Sequence, residues 1–216
     1  MEDIKKLIQN IRKDFEHEHL HELHLPENPF DSFVQWITEA INQKVAECTA
    51  MVISTANNNI QPSSRIVYLR DYEHNIFTFY CNYLSKKSQD IESNPKVSLL
   101  FYWAPLQRQI RIRGVAKKTS AKKSDEYFAT RPYENQIGAW ASVQSSKINS
   151  REDLMKQFEY YSQQYPNYPV PRPEHWGGWD IEANYYEFWQ GRPSRLHDRI
   201  AYEKTNNVWI KTRLSP

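Results

Sequence analysis

Apolar residues at helical spacing open the chain. Ile4, Leu7, Ile8, Ile11 and Phe15 recur every three or four positions, which predicts an amphipathic helix. A helix of this kind has to pack its apolar face on another part of the protein.

The second predicted helix has clear start signals. Asn28 can accept a backbone hydrogen bond as N-cap, and Pro29 suits the first helical turn. The expected buried stripe of this helix comprises Phe30, Phe33, Val34, Ile37 and Ile41.

From residue 50 the apolar period changes to two, which predicts strands. The expected strands cover 51–54, 64–69, 76–82, 97–103, 107–115, 179–189, 196–202 and 208–214. Helices are expected at 85–92 and 120–130, and a capping box at Ser150 to Asp153 predicts another. The pattern predicts one domain over residues 1–216, mainly β with flanking helices (α+β), as an antiparallel barrel.

The charge balance excludes a nonspecific binder of polyanions. The chain has 28 basic and 26 acidic side chains, a net charge of +2, so an anion has to meet a local basic cluster. Cys48 and Cys81 form no CxxC pair, which indicates a reducing compartment. We find no apolar leader and no apolar run near the about 18 residues of a membrane span. These features predict a cytoplasmic protein that does not enter a membrane.

Glycine loops that cradle nucleotide phosphates are absent from the sequence. The chain has five glycines and no GxGxxG or GxxxxGK[ST] motif, so a nucleotide-like cofactor needs side-chain anchors. Aromatic residues make up 14% of the chain, which indicates stacking on a flat ligand or a large interface. A core rich in aromatic residues is the alternative explanation.

One motif matches the HExxH pattern of zinc hydrolases. His17, Glu18 and His21 have the helical spacing that places two imidazoles on one face beside a glutamate base. The stretch has no buried apolar flank, which favours a solvated helix end and no metal site. Metal analysis separates the two readings.

Basic residues on separate predicted elements are candidates for anion binding. They are Arg65, Arg70, Lys86, Lys87, Arg131, Arg195 and Arg199. A strand would hold Arg65 rigidly, and Lys86 and Lys87 open a predicted helix, where backbone amides already favour an anion. In the tail, an indole, two cations and an imidazole surround a Gly/Pro turn, which predicts a polar wall for a ligand.

Many of these residues lie in blocks that resemble pyridoxine 5′-phosphate oxidases, in the same order along almost the whole chain. The blocks include Arg65-Ile66-Val67-Tyr68-Leu69, Gln136-Ile137-Gly138-Ala139-Trp140, Gln144-Ser145-Ser146, Trp176-Gly177-Gly178, Glu187-Phe188-Trp189-Gln190-Gly191 and Arg195-Leu196-His197-Asp198-Arg199. The Arg-Leu-His-Asp-Arg block is the most specific of them.

The resemblance implies an FMN-binding split β-barrel with Greek-key-like antiparallel strands, and a homodimer with each flavin at the subunit interface. Residues 1–45 would pack on the barrel and form a lid, and 166–216 would carry the dimer and active-site motif. The FMN-binding residues would be Arg65, Ile66, Val67, Tyr80, Cys81, Lys86, Lys87, Gln109, Gln144, Ser145, Trp189 and Arg199.

The activity implied is oxidation of pyridoxine or pyridoxamine 5′-phosphate to pyridoxal 5′-phosphate in vitamin B6 metabolism. Dioxygen would be the acceptor, giving hydrogen peroxide, and ammonia from the amine. Arg195 and His197 would be catalytic. The substrate-binding residues would be Arg12, Arg70, Tyr127, Arg131, Asn135, Arg195 and His197.

Five positions depart from the family pattern. Arg70 replaces a lysine, Lys86 an arginine, Cys81 a threonine, Asn135 a serine and Phe15 a tyrosine. Each lost hydroxyl removes a hydrogen bond worth on the order of 1 kcal/mol. We therefore expect these departures to change the affinity for ligands more than the type of reaction.

Two further alternatives follow from the residues. The departures leave open an FMN-binding split-barrel oxidoreductase with a different substrate. A nucleic-acid binding module could use Arg108 to Arg113 with Tyr102 and Trp103, although the balanced charge argues against nucleic acid as a partner.

Overall fold

The computed structural model describes residues 2–10, 14, 15 and 19–216. Its helices are α1 (Glu2–Asn10), α2 (Pro29–Asn42), α3 (Lys86–Ser93), α4 (Ala121–Ala129), α5 (Tyr133–Ala141) and α6 (Arg151–Gln164). Its strands are β1 (Ala50–Ala56), β2 (Pro62–Tyr68), β3 (Asp71–Glu73), β4 (Ile76–Asn82), β5 (Lys96–Trp103), β6 (Arg108–Lys118), β7 (Trp176–Gln190), β8 (Asp198–Thr205) and β9 (Val208–Leu214). None of the described helices has the length and apolar character needed to cross a membrane.

The strands form one nine-stranded sheet. Its hydrogen-bonded order is β2-β1-β5-β6-β7-β4-β3, with β8 paired to β7 and β9 paired to β8. The pairs β1–β2, β3–β4, β4–β7, β7–β8 and β8–β9 are antiparallel. Within the described residues this order is open, running from β2 to β3. The predicted fold class, mainly antiparallel β with flanking helices, is confirmed.

The chain divides into two compact units. The first unit comprises Met1–Cys48, Leu100–Ile112 and Tyr185–Pro216, and the second comprises Thr49–Leu99 and Arg113–Asn184. The single-domain boundaries predicted from the sequence stay a prediction.

Helix α2 begins as the sequence predicts. The Asn28 side-chain oxygen accepts a hydrogen bond from the Phe30 backbone at 3.2 Å, and Pro29 is the first helical residue. The predicted stripe is wrong at Ile41, which is 51% exposed, while Trp36 and Ala40 are buried. At 100° per residue, Ile41 lies about 80° round the helix from Phe33, beyond the buried face.

Several other boundaries differ from the sequence pattern. Helix α5 was not predicted. It begins after Pro132 and contains Gly138, and its apolar residues do not follow a strong helical period. Strand β8 begins at Asp198, later than predicted, because Pro193–Arg195 forms a short 3-10 turn. In α1, the apolar side chains Ile4, Leu7 and Ile8 are all exposed, so the docking expected for that helix is not seen.

The second unit has a core rich in aromatic residues. This core supports the helices and the strand from which the polar side chains of the unit project. Phe128, Ile137, Ala139, Val170 and Trp176 form the buried cluster. Phe158 and Tyr161 of α6 pack against it as partly buried residues. The cluster holds the C-terminal end of α4 and the start of β7 beside α5.

Candidate active site

A cavity of about 620 Å³ lies within the second unit. Ten residues predicted to bind cofactor or substrate line it: Ile66, Val67, Tyr80, Cys81, Lys87, Gln144, Arg70, Tyr127, Arg131 and Asn135. The structure therefore brings together side chains that are up to 78 positions apart, from Ile66 to Gln144. A cavity of this size can hold a ligand of cofactor dimensions.

Lys87 places a buried ammonium group at the cavity. The residue is 8% exposed, and its Nζ donates to Ser85 Oγ at 3.1 Å and to Gln144 Oε1 at 2.6 Å. Burial lowers the pKa of Lys87, and the nearby Arg65 lowers it further while Cys81 opposes the shift. No carboxylate among the described residues forms an ion pair with Lys87. The site is suited to an anion that would supply the missing charge.

Arg65 is held rigidly beside this ammonium group by its own strand pair. Its Nη1 donates to the Ile53 carbonyl at 3.3 Å and to Thr55 Oγ1 at 2.9 Å, and its Nη2 donates to Ser63 Oγ at 2.5 Å. Burial lowers the pKa of Arg65. The strand thus fixes a guanidinium as the sequence predicts, although Arg65 does not line the cavity.

Lys86, also predicted to bind the cofactor, does not line the cavity. Its Nζ contacts Asp90 Oδ1 at 2.7 Å, one turn along α3, and Asp90 Oδ2 accepts from Thr55 Oγ1 at 2.9 Å. Burial opposes ionisation of Asp90, but the hydrogen bonds from Lys86 and Thr55 outweigh it and lower the pKa of Asp90. Asp90 therefore links the Lys86 ammonium to the Thr55 hydroxyl that Arg65 uses.

A second cationic group lines the same cavity. The Arg131 guanidinium lies over the Trp176 ring, with Cζ 4.7 Å from the centroid. Burial lowers the pKa of Arg131, and the nearby Arg70 lowers it further while Tyr127 opposes the shift. Arg131 Nη1 is buried and has no hydrogen-bond partner among the described residues. An unpaired buried donor on a cation is suited to an anionic or polar partner, such as a ligand phosphate.

Parallel aromatic rings form part of the cavity wall. The Tyr80 ring stacks on Tyr127 at 3.9 Å and 10°, and on Trp176 at 5.5 Å and 7°. Burial is the largest cause of the raised pKa of Tyr80, so its hydroxyl stays protonated. Gly177 and Gly178 make this packing possible, because a Cβ at either position would overlap Tyr83 or Tyr80.

Three of the five departures from the family pattern, at Arg70, Cys81 and Asn135, line the cavity. Cys81 Sγ lies 3.3 Å from Ser88 Oγ, the contact that a threonine hydroxyl would also reach. Burial raises the pKa of the Cys81 thiol, and Lys87 counteracts only part of that rise. Asn135 lines the cavity at the start of α5.

A separate cluster in the first unit surrounds His197. Its ring lies 4.7 Å from Trp189, and the edge of Phe15 meets both rings, at 5.6 Å from Trp189 and 5.1 Å from His197. His197 Nδ1 accepts from the Arg192 backbone at 3.1 Å. Burial lowers the pKa of His197, and Arg195 lowers it further. The lowered pKa favours the neutral imidazole, and because Nδ1 accepts a hydrogen bond the proton of that form lies on Nε2.

Arg199 lies opposite Trp189 in the β7–β8 pair. Its Nε donates to Glu187 Oε1 at 2.9 Å, its Nη2 lies 2.8 Å from the same oxygen, and its Nη1 donates to the Ser215 carbonyl at 2.8 Å. Glu187 is 2% exposed. The guanidinium is thereby fixed from two sides.

The remaining predicted residues have the following positions. Arg195 is exposed and ends the turn Pro193–Arg195, where Ser194 and Arg195 have φ of 56° and 60°. Gln109 is half-buried on β6, and Ser145 is exposed outside the cavity lining. Arg12, His17 and Glu18 lie outside the described residues, so the lid arginine and the zinc motif stay untested.

Sequence reasoning missed three partners of these side chains. Trp176 supports Arg131, Asp90 links Lys86 to Thr55, and Glu187 holds Arg199. Of these three, only Glu187 could have been recognised from the sequence, because an acidic residue between Tyr186 and Phe188 in an apolar strand needs a buried partner.

Comparisons with known proteins show what this chain is similar to. Residues 37–165 match the family model described as pyridoxamine 5′-phosphate oxidase, and residues 176–216 match the pyridoxine 5′-phosphate oxidase C-terminal dimerisation region. The pyridoxine/pyridoxamine 5′-phosphate oxidase of Actinobacillus succinogenes is 46% identical over 209 residues, covering 97% of this chain and 99% of that protein. The protein of the same name from Haemophilus influenzae is 47% identical with the same coverage.

A solved structure gives the same result for the fold. PhzG from Burkholderia lata, in complex with tetrahydrophenazine-1-carboxylic acid, is similar with a TM-score of 0.88 and 26% identity over 94% of this chain and 100% of that one. The family model covers more than half of the chain, and the relatives cover nearly all of it. The chain belongs to the pyridoxamine 5′-phosphate oxidase family.

Proposed function

We propose that this chain is an FMN-dependent oxidase that converts pyridoxine or pyridoxamine 5′-phosphate to pyridoxal 5′-phosphate with dioxygen as the acceptor. The products would be hydrogen peroxide and, from the amine, ammonia. The observation that carries the proposal is a single cavity lined by two cations, the buried Lys87 and the half-buried Arg131, each with its own neighbouring arginine. Two phosphate esters need two such cationic groups, because each phosphate brings about −1.5 to −2 charge.

Lys87 and Arg65 would bind the FMN phosphate. Lys87 supplies a buried ammonium whose described hydrogen-bond partners are neutral, and Arg65 adds a fixed guanidinium. The backbone amides at the start of α3 add to the positive field there. The donor set therefore fits a phosphate, and its geometry is preorganised by the protein.

Arg131 and Arg70 would bind the substrate phosphate. Arg131 has the unpaired buried Nη1, and Arg70 is near enough to lower the pKa of Arg131. Tyr127 and Asn135 line the same cavity and can add neutral donors. Holding the substrate by its phosphate fixes the position of the reacting carbon, which makes the transfer effectively unimolecular.

Bound FMN would accept a hydride from the substrate carbon and pass the electrons to dioxygen. The guanidinium of Arg199 would stabilise negative charge near the ring. Neutral His197 offers an N–H from Nε2, so it would orient the substrate by donating a hydrogen bond. Exposed Arg195 would act beside it on the pyridine ring.

The assembly would be a homodimer with each FMN contacted by both chains. The match of residues 176–216 to a dimerisation region supports the dimer, and the residue pattern of 166–216 supports its role in the active site. We further propose that residues 1–45 act as a lid. Cys48 and Cys81 are free thiols, as expected for the cytoplasmic location that we propose.

Absorption and oxygen consumption test the proposal. Purified protein should be yellow, and should consume oxygen with pyridoxine 5′-phosphate far faster than with unphosphorylated pyridoxine. Rapid turnover of the unphosphorylated compound would favour a flavin oxidoreductase with another substrate. A colourless protein that stays inactive after addition of FMN would contradict the oxidase itself.

A further inference from the structure

A buried carboxylate lies among two arginines and a tyrosine in the first unit. Glu187 Oε1 accepts from Arg199, and Glu187 Oε2 accepts from Arg111 Nη1 at 3.1 Å and from the Tyr185 hydroxyl at 3.0 Å. The Glu187 side chain is 2% exposed, and that of Arg199 is 25% exposed. Both carboxylate oxygens are therefore used within the protein.

The strand register explains why Glu187 meets Arg199. Glu187 pairs with Ala201 and Trp189 pairs with Arg199, so Glu187 and Arg199 are diagonal neighbours on one face of the β7–β8 pair. Trp189 shares that face, because side chains two positions apart on a strand point the same way. Glu187 thus lies on the face that carries two of the proposed FMN-binding residues.

The contacts leave Arg199 with a defined set of unused donors. A guanidinium has five N–H groups; Nε donates to Glu187, Nη1 donates to Ser215, and Nη2 lies 2.8 Å from Glu187 Oε1. At least one N–H on Nη1 and one on Nη2 therefore have no partner among the described residues and are available to a ligand. A carboxylate that fixes the plane of the guanidinium also fixes where these two donors point.

We propose that Glu187 is a positioning residue that acts through Arg199, setting the orientation of its free N–H groups and the net charge that they present to the cofactor. This inference rests on the proposed function, since it takes Arg199 to contact FMN. Arg111 and Arg199 share one carboxylate, so the group keeps one net positive charge. Loss of Glu187 would free the Arg199 side chain and leave a second uncompensated cation.

The test is a double-mutant cycle on FMN binding, followed by quenching of FMN fluorescence. Glu187→Ala should raise the dissociation constant of FMN about 10-fold, the scale of a lost hydrogen bond to a charged group. In an Arg199→Ala background the same substitution should change it less than about 2-fold, because the residue through which Glu187 acts is gone. Equal effects in the two backgrounds would overturn the inference.

Glu187→Gln covers the case in which the alanine variant does not fold. Glutamine keeps the volume and one acceptor for Arg199 but removes the charge. The midpoint potential of bound FMN should then become more positive, because the extra positive charge favours the reduced, anionic flavin. A variant that only lowers the Tm and leaves the potential unchanged contradicts the inference. Glu182→Gln, an exposed carboxylate on the same strand, is the matched control and should change neither quantity.

Failure of the proposed function gives a different result. If the wild-type protein and Arg199→Ala bind FMN equally, Arg199 does not contact the cofactor and the proposed site is wrong. If Arg199→Ala weakens binding while Glu187→Ala does not, only the role of Glu187 is wrong.

Discussion

The indole of Trp176 lies against the guanidinium of Arg131, with 4.7 Å between Arg131 Cζ and the ring centroid. A cation over an aromatic face is stabilised by about 0.5–2 kcal/mol, most when both groups are shielded from water. Arg131 is half-buried with its Nη1 atom shielded, and the ring holds the cation in the position in which Nη1 has no other described partner.

Replacing Trp176 should therefore weaken binding of the phosphorylated substrate. We expect Trp176→Leu to raise KM about 3- to 10-fold relative to Trp176→Phe, because phenylalanine keeps an aromatic face and leucine does not. Steady-state kinetics with pyridoxine 5′-phosphate give the ratio. Both variants lose core volume, so the comparison removes that shared effect, and equal KM values would show that the cation–π contact does not matter.

The buried position of Lys87 predicts a pH dependence. Its folded pKa is lowered by burial, so FMN affinity should fall with rising pH before an ordinary lysine, with a pKa of about 10.4, loses its charge. The stability of the apoprotein should change with pH in the opposite direction to the FMN affinity. The unfolded chain binds more protons in this window, so the free energy of unfolding should rise with pH.

Lys87→Arg provides the control for this pH effect. Arginine stays protonated, so the dissociation constant of FMN for the variant should be nearly independent of pH over the same range. FMN titrations at several pH values measure both proteins. Parallel pH profiles for the two would show that another group titrates.

Gln136 holds the segment that carries Arg131. Its Nε2 donates to the carbonyls of Phe128, Ala129 and Arg131, at 3.1, 3.3 and 2.9 Å. Gln136→Leu leaves these acceptors without that donor and should lower the free energy of unfolding by about 1–3 kcal/mol. KM for the phosphorylated substrate should rise as well. Denaturant unfolding checks the first effect; exposed Gln163→Leu should stay within about 0.5 kcal/mol of wild type.

The two cysteines should differ in reactivity. Cys81 is buried with a raised pKa, whereas Cys48 is half-buried, so an alkylating reagent should modify Cys48 first. Mass spectrometry after timed labelling measures both rates. Cys81→Thr should cost less than about 1 kcal/mol, because its hydroxyl can reach Ser88. Faster labelling of Cys81 would mean that this part of the cavity opens in solution.

The sequence predicts the local features well. The Asn28 cap depends on residues two apart, and the alternation in β6 depends on one strand, so both can be predicted without knowing the fold. The family resemblance also predicted ten residues that line one cavity.

Long-range partners could not be predicted in the same way. Glu187 meets Arg111 from 76 positions away, and Arg131 meets Trp176 only because α4 and β7 share a core. Helix α5 was missed because its packing on α6, and not an apolar period, stabilises it. Such contacts depend on the tertiary arrangement, which no local pattern specifies.

The close approach of the chain at Gly177 and Gly178 has a consequence for which substitutions the protein can accept. The phenol of Tyr83 donates to the Gly178 carbonyl, and the Tyr80 ring lies against the same stretch of main chain. A methyl group at Gly178 would overlap the Tyr80 ring of the cavity wall, and one at Gly177 would overlap Tyr83. In a saturation mutagenesis library selected for vitamin B6 synthesis, both positions should tolerate nothing larger than hydrogen, although neither has a side chain that touches a ligand.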